Sequence, residues 1–274
     1  MITARLEDLE FRGDYNPDGL VLTVLEGWDD LPDAKSEQDA WSTENGNATP
    51  GRTLYDGRSI TLEGYYESGS SANTELMMRR LRGLAGRMLT LQVDKGNGWL
   101  HAPVELRGIT IDEARYRGKA SFQLSLLSPS AFLYGVSQSA STLAESAGVG
   151  IEDPIVENIR EGETGNPGRV VITGSGYAPT SVSVTVTGVM EGVRIINMEL
   201  NGIVELAYPI QEGDTVTFDY DNRRCVINNQ SDLTGYLSVE GWTNPTGQST
   251  FQFRPLGVHS EDAMMTVNWM EAYR

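Results

Sequence analysis

Val182-Ser183-Val184-Thr185-Val186-Thr187 alternates an aliphatic residue with a hydroxyl residue over six positions. In an extended backbone, successive side chains point to opposite faces. All three valines therefore share one face and all three hydroxyls the other, as in a strand half in a core and half in water. The same period-two pattern recurs on both sides of this stretch. Toward the N-terminus it appears in Phe122-Gln123-Leu124-Ser125-Leu126, Leu89-Thr90-Leu91-Gln92-Val93, Ser59-Ile60-Thr61-Leu62-Glu63 and Leu20-Val21-Leu22-Thr23-Val24. Toward the C-terminus it appears in Thr215-Val216-Thr217-Phe218-Asp219-Tyr220, Phe251-Gln252-Phe253 and Met265-Thr266-Val267-Asn268-Trp269. Turn formers separate these runs, among them Pro17-Asp18-Gly19, Asp94-Lys95-Gly96-Asn97-Gly98, Gly165-Asn166-Pro167-Gly168 and Asp221-Asn222. The expected class is mainly β, with two antiparallel β-sandwich domains.

One segment follows helical spacing instead. From Asn73 to Met88, apolar Leu76, Met77, Leu81, Leu84, Ala85 and Met88 recur at intervals of about one turn. Ser71, Asn73 and Thr74 are available as caps, so a single amphipathic helix over 73–88 is expected in the first domain. Its other face carries Arg79, Arg80, Arg82 and Arg87, either as a solvated, acid-paired face or as a phosphate contact. Two stretches lack periodicity. Gly27 to Gly51 is long, polar and marked by Trp28 and Trp41, the composition of a binding loop or extension. Val136 to Asp153 is rich in Ser and Gly, as linkers are. The expected domains are therefore 1–135 and 154–274, joined by a linker over 136–153.

Composition excludes several function classes. The 274 residues carry a formal charge of −17, which argues against a general nucleic-acid binder. No apolar run approaches the length of a membrane helix, and Arg5, Glu7, Asp8 and Glu10 break any secretion signal, so a protein made and kept in the cytoplasm until assembly is expected. The lone Cys225 forms no intrachain disulfide and reads as a small, half-buried strand residue. None of the three lysines (Lys35, Lys95, Lys119) completes a Walker loop. Gly174-Ser175-Gly176 begins a dinucleotide fingerprint that Pro179 interrupts. His101 and His259 cannot supply a three-histidine zinc site, and no Gly-x-Ser-x-Gly elbow is present. Asp219-x-Asp221-Asn222 lacks the later ligands of a calcium loop and reads as a turn. The chain is expected to have no catalytic residues, no metal and no cofactor.

Particular residues then point to a family. Pro50-Gly51-Arg52, followed by Asp56-Gly57-Arg58-Ser59-Ile60-Thr61-Leu62-Glu63-Gly64 and then a helix, resembles a stretch of the distal tail proteins of siphophages. Ser128-Pro129 followed by Phe132-Leu133-Tyr134-Gly135 resembles the close of that family's first domain, with Ser-Pro in place of the commoner Asp-Pro. Val170-Val171-Ile172-Thr173-Gly174 after its turn, and Glu212-Gly213-Asp214-Thr215-Val216-Thr217-Phe218-Asp219, resemble the family's galectin-like C-terminal sandwich. Pro255-Leu256-Gly257 only partly matches the Pro-Gly-x-Asn turn that usually precedes its last strand.

The resemblance implies a structural virion protein at the tail tip of a long-tailed phage. It implies a homo-oligomer, a hexameric ring built from the N-terminal domains, with the C-terminal domains projecting outward. The implied partners are the tail tube protein, the tail-associated hub protein and receptor-binding proteins, with DNA only in passage through the lumen and no insertion into a membrane. Six copies at −17 would carry −102, and an acidic lumen repels phosphates. The implied subunit-interface residues are Trp28, Trp41, Arg52, Arg58, Arg79 and Arg80, although each Trp reads equally as packing within its own domain. The rival reading is a carbohydrate-binding module attached to a β domain. Its candidate contact is Trp242, in Gly241-Trp242-Thr243-Asn244-Pro245. A hydrolase or lyase on a β scaffold ranks last, since no base, nucleophile or metal constellation is present.

Overall fold

The computed structural model describes residues 2–16, 19–35, 55–114, 118–145, 166–174 and 176–274. The chain divides into two compact units, Met1–Val136 with Tyr273–Arg274, and Ser137–Ala272. The first unit holds β1 (Thr3–Leu6), β2 (Leu9–Arg12), β3 (Leu20–Glu26), β4 (Arg58–Glu67), α1 (Ser71–Arg82), β5 (Met88–Asp94), β6 (Trp99–Ala114), β7 (Lys119–Ser128) and β8 (Leu133–Tyr134).

Seven of these strands form a closed cycle, β6-β5-β1-β2-β3-β4-β7, because β7 also pairs with β6. The long β6 makes closure possible. Its first half pairs with β5 and its second half with β7, with a register shift between Leu106 and Gly108. A bulge of that kind bends a strand and lets it belong to two walls at once. The unit is thus a barrel rather than the expected sandwich, and one of its pairings, β2 with β3, is parallel. Closure leaves no unpaired edge among the seven. The barrel is filled from alternate positions of each strand: Leu89, Leu91 and Val93 of β5, Ile60 and Leu62 of β4, Phe122, Leu124 and Leu126 of β7. On β4 this inward row includes Gly64, where a Cβ would lie 2.0 Å from the Val21 carbonyl oxygen and 2.7 Å from the Phe122 ring. Only a glycine allows that approach, which lets Phe122 stack edge-on against Phe11, ring centroids 5.6 Å apart.

The helix is shorter than the expected 73–88. It runs Ser71–Arg82 after N-cap Ser70 and ends at Gly83. Thr74, Met78 and Leu81 form its buried stripe, while Leu76 is 69% exposed. Thr74 does not cap through its hydroxyl but donates it to the carbonyls of Ser70 and Gly118, tying the helix to the β6–β7 turn. The glycines at 83 and 86 stop the helix, and Met88 opens β5 instead.

The second unit is a two-sheet antiparallel sandwich. Its strands are β9 (Gln138–Leu143), β10 (Arg169–Ile172), β11 (Ala178–Thr187), β12 (Met190–Asn197), β13 (Gly202–Leu206), β14 (Thr215–Asp219), β15 (Arg224–Ile227), β16 (Ser231–Asp232), β17 (Leu237–Glu240), β18 (Ser249–His259) and β19 (Met264–Tyr273). One sheet runs β16-β15-β14-β11-β19-β9 and the other β10-β18-β12-β13-β17. The inward valines of β11 meet Val193, Ile195, Phe251 and Phe253 of the facing sheet in one core. Val182, Val184 and Val186 are at most 1% exposed.

β9 falls inside the stretch expected to be a linker. Its small side chains read as linker composition, but it is an edge strand paired with β19 from Leu143 to Gln138. The rest of that stretch from residue 146, and the expected boundary at Pro154, lie outside the described residues.

Candidate functional site

Arg58 opens β4 on the inward row shared with Ile60, Leu62 and Gly64, so strand parity points its side chain into the protein. It is 2% exposed. Nη1 donates to the carbonyls of Gly27 (3.1 Å), Trp28 (2.7 Å) and Asp30, and Nη2 to that of Ala131 (3.0 Å). Burial pulls its pKa below the ordinary value, opposed by the charges of Asp30 and Asp29. The group stays charged and clamps two segments of backbone, so Arg58 is an internal staple and not a residue offered to a neighbour. Its own carbonyl partner Trp28 is 2% exposed and belongs to the barrel core, which settles that tryptophan as packing within its own unit. The turn at Gly27 requires glycine: φ is +76° and a Cβ would lie 1.9 Å from the Ser59 carbonyl oxygen. Trp41 and Arg52 lie outside the described residues.

Arg79 and Arg80 are on the solvent side of α1. Arg79 pairs with Glu75 one turn back, and Arg80 pairs with Asp8 of the β1–β2 turn. Both are exposed pairs of little energetic weight. Arg87 follows in the exposed turn after the helix. On the wall formed by β3, β4, β7 and β6, outward residues line a shallow groove of about 250 Å³: Thr23, Glu63, Thr110, Asp112, Ser121 and Gln123. The register explains their meeting. Gln123 stands between Glu63 and Thr110, and Ser121 opposite Asp112. Gln123 Nε2 donates to Glu63 Oε1 at 2.7 Å. Sequence reading missed this groove, because outward polar residues on four strands carry no local sign of being neighbours.

In the second unit, Trp242 is half-buried and packs on Tyr220 in a T-shaped contact, centroids 5.1 Å apart and planes at 84°. Its Nε1 is buried without a hydrogen-bond partner. The indole thus packs in part against the sandwich core. Asp219 Oδ1 accepts from the backbone N–H groups of Asp221 and Asn222, both at 3.0 Å, which makes this acidic run a turn between β14 and β15. Among the described residues, no group of three or more His, Cys, Asp or Glu is placed to hold a metal. No helix among them is long and apolar enough to cross a membrane. His101 is half-buried beside Tyr134, and desolvation holds its pKa below the ordinary value.

Cys225 is fully buried rather than half-buried. Burial, with the Asp232 charge adding to it, pushes its thiol up to about 12. The thiolate is the reactive form, so a thiol reagent at pH 8 should leave the native protein unlabelled and modify one site per chain after unfolding in urea. Fast labelling of the native chain would contradict the burial. A raised thiol pKa also means that the unfolded chain ionises first as pH rises. The associated stability is present below the unfolded value near 9.0 and is lost as pH climbs toward about 12.

The charge is unevenly divided. Residues 1–136 with 273–274 hold 20 acidic and 15 basic side chains, a net of −5, and residues 137–272 hold 18 and 6, a net of −12. A ring built from barrel units would therefore draw on the smaller share of the acidity that the whole-chain charge suggests.

No protein-family model and no curated protein matches the chain. Solved structures do. The Dit protein of phage SPP1, described as a paradigm of the hub adsorption apparatus in phages infecting Gram-positive bacteria, aligns over 100% of both chains with a TM-score of 0.66 and 10% identity. A chain of the phage p2 baseplate in its activated conformation aligns over 98% of both chains. Its TM-scores are 0.56 for the strontium form and 0.57 for the calcium form, each at 11% identity. At such identities the likeness is one of fold, and it spans the barrel and the sandwich alike: the chain is Dit-like in fold from end to end.

Proposed function

We propose that this chain is a structural protein of a phage tail tip, a distal tail protein that assembles into a ring, hexameric by analogy, and joins the tail tube to the hub and receptor-binding apparatus. The observation that carries the reading is the full-length likeness to SPP1 Dit, which matches both units in one alignment at a TM-score of 0.66. A shared architecture on one unit alone would be weak evidence, since β barrels and sandwiches host many functions. An ordered succession of the two is more specific. The chain works through assembly rather than catalysis, takes no cofactor, and meets DNA only as it passes the lumen. Its partners are its own copies, the tube protein, the hub and receptor-binding proteins. It is made in the host cytoplasm and resides in the virion.

Multi-angle light scattering on the purified chain, followed by electron-microscope class averages, tests this. The expected result is a closed oligomer of 30.0 kDa protomers with a central opening wide enough for duplex DNA. A chain that remains monomeric up to high concentration counts against the ring.

A further inference from the structure

In the sandwich, β9 ends the β16-β15-β14-β11-β19-β9 sheet, and among the described residues one of its sides is unpaired. Ala144 donates its N–H to the Ala263 carbonyl at 3.0 Å, which fixes the phase of the ladder. Residues 142, 140 and 138 then turn their main-chain groups toward β19, and residues 143, 141 and 139 turn theirs away. The Leu143 carbonyl agrees with this phase, since it accepts from Asn166 Nδ2 at 3.3 Å. Ser139 and Ser141, both exposed, are left offering N–H and C=O groups to a further strand. Open sheet edges invite association, and soluble proteins blunt them with charge, proline, bulges or shortness. The other edges of the sandwich are blunted. β10 follows Pro167 and opens on exposed Arg169, and β16 is two residues long and carries Asp232. β17 carries Glu240 and a register shift between Glu205 and Leu206. β9 has none of these devices. Its six residues are uncharged, in a unit with 18 acidic and 6 basic side chains.

We infer that β9 receives an extended segment of another protein as an added strand, a neutral run of alternating hydroxyl and small aliphatic residues between basic flanks. The neighbours of the edge dictate that chemistry. Ser141 lies in a row with Thr266, Thr185 and Thr217, and Ser139 in a row with Asn268 and Ser183. Ser141 Oγ and Thr266 Oγ1 stand 2.9 Å apart in the first of these rows. One face of the incoming strand therefore continues rows of hydroxyl and amide groups. Its other face lies beside Ala140, which packs against the sandwich core, and takes small aliphatic side chains. Carboxylates stand at both ends of the edge. Glu271 Oε1 accepts from Gln138 Nε2 at 3.4 Å, and Glu145 is 3.8 Å from Arg254 and 54% exposed. They select basic residues at both ends of the guest and repel an acidic one. In such an added strand the main-chain hydrogen bonds supply affinity and the alternating side chains supply selectivity. A second copy of β9 fits less well, because antiparallel self-pairing brings Glu145 of one chain toward Glu271 of the other.

The probe is a synthetic peptide of alternating threonine and valine with lysines at both ends, added to the full chain. Hydrogen–deuterium exchange over residues 137–144 reads the contact. In the chain alone, the amides of 139 and 141 should exchange fast and those of 140 and 142 slowly. Saturating peptide should slow the fast amides about tenfold or more, and a peptide with glutamates in place of the lysines should not. Ser141→Pro removes an outward N–H without touching the β19 ladder, a change that an edge strand tolerates, and should weaken peptide binding about tenfold. Ser139→Lys keeps the whole backbone and should weaken binding by repelling the lysine ends; circular dichroism checks the fold of both variants. Slow exchange at 139 and 141 in the chain alone, no slowing by the peptide, or binding untouched by both variants overturns the added strand. Exchange that slows with chain concentration in the absence of peptide assigns the edge to a second copy and overturns it as well. Light scattering should give both variants the oligomer of the wild type, so failure of this contact leaves the assembly reading standing.

Discussion

Replacing Arg58 with alanine should lower the stability of the barrel unit by about 3–5 kcal/mol, the cost typical of breaking a buried charged network from one side. That is a large share of a domain stability of about 5–15 kcal/mol. The reason lies in the partners. Replacing a buried ion pair by apolar side chains is often harmless when both members go together. Here the acceptors are the backbone carbonyls of Gly27, Trp28, Asp30 and Ala131, which no substitution removes. Without the guanidinium, four carbonyls in partly or fully buried positions lose a donor at once, and each orphaned group costs about 1–3 kcal/mol before the backbone relaxes toward water. Arg58→Lys keeps the charge but concentrates its donors at one point, so it should recover less than half of the loss. Urea unfolding followed by tryptophan fluorescence reads the effect, with Trp28 as a reporter inside the same core. A loss below about 1 kcal/mol would show that the staple is dispensable.

Phe253→Ala should cost the sandwich about 3–5 kcal/mol, because the deleted ring leaves a cavity between two sheets that cannot collapse independently. Phe253 is fully buried, stands opposite Ile195 in the β12–β18 pairing, and shares the core with Val184 and Phe218. Its backbone stays anchored, since its N–H donates to the Gly168 carbonyl at 2.7 Å whatever the side chain. Val258→Ala on the same strand, at 78% exposure, serves as the comparison and should change stability by less than about 0.5 kcal/mol. Calorimetry separates the outcomes. Equal effects from the two substitutions would mean that the β18 ring does not fill the core as described.

How much was legible before folding follows from the range of the interactions. β11 was readable because alternation is a local property, and a strand shows its buried face wherever it pairs. The helix was readable in kind, from its spacing, but not in length, because glycines 83 and 86 end it before the apolar spacing does. β9 was misread as linker because small polar residues suit an edge strand and a linker equally, and only pairing with β19 tells them apart. Arg58 carried an unread signal. Its parity with Ile60, Leu62 and Gly64 already assigned it to the inward face, although an arginine at a strand start reads first as a solvent-facing residue.

From the sequence alone came the mainly β class, a two-part chain, most of the strands and the likeness to a tail-protein family. All of these depend on neighbours in the chain or on composition. Tertiary structure alone decided that the first unit closes into a barrel, that Trp28 and Arg58 face inward, and that Glu63, Gln123 and Asp112 line one groove. Those outcomes depend on strand register and on a bulge in β6, which join residues dozens of positions apart. A one-residue slip in register would send each of those side chains to the other face of its strand.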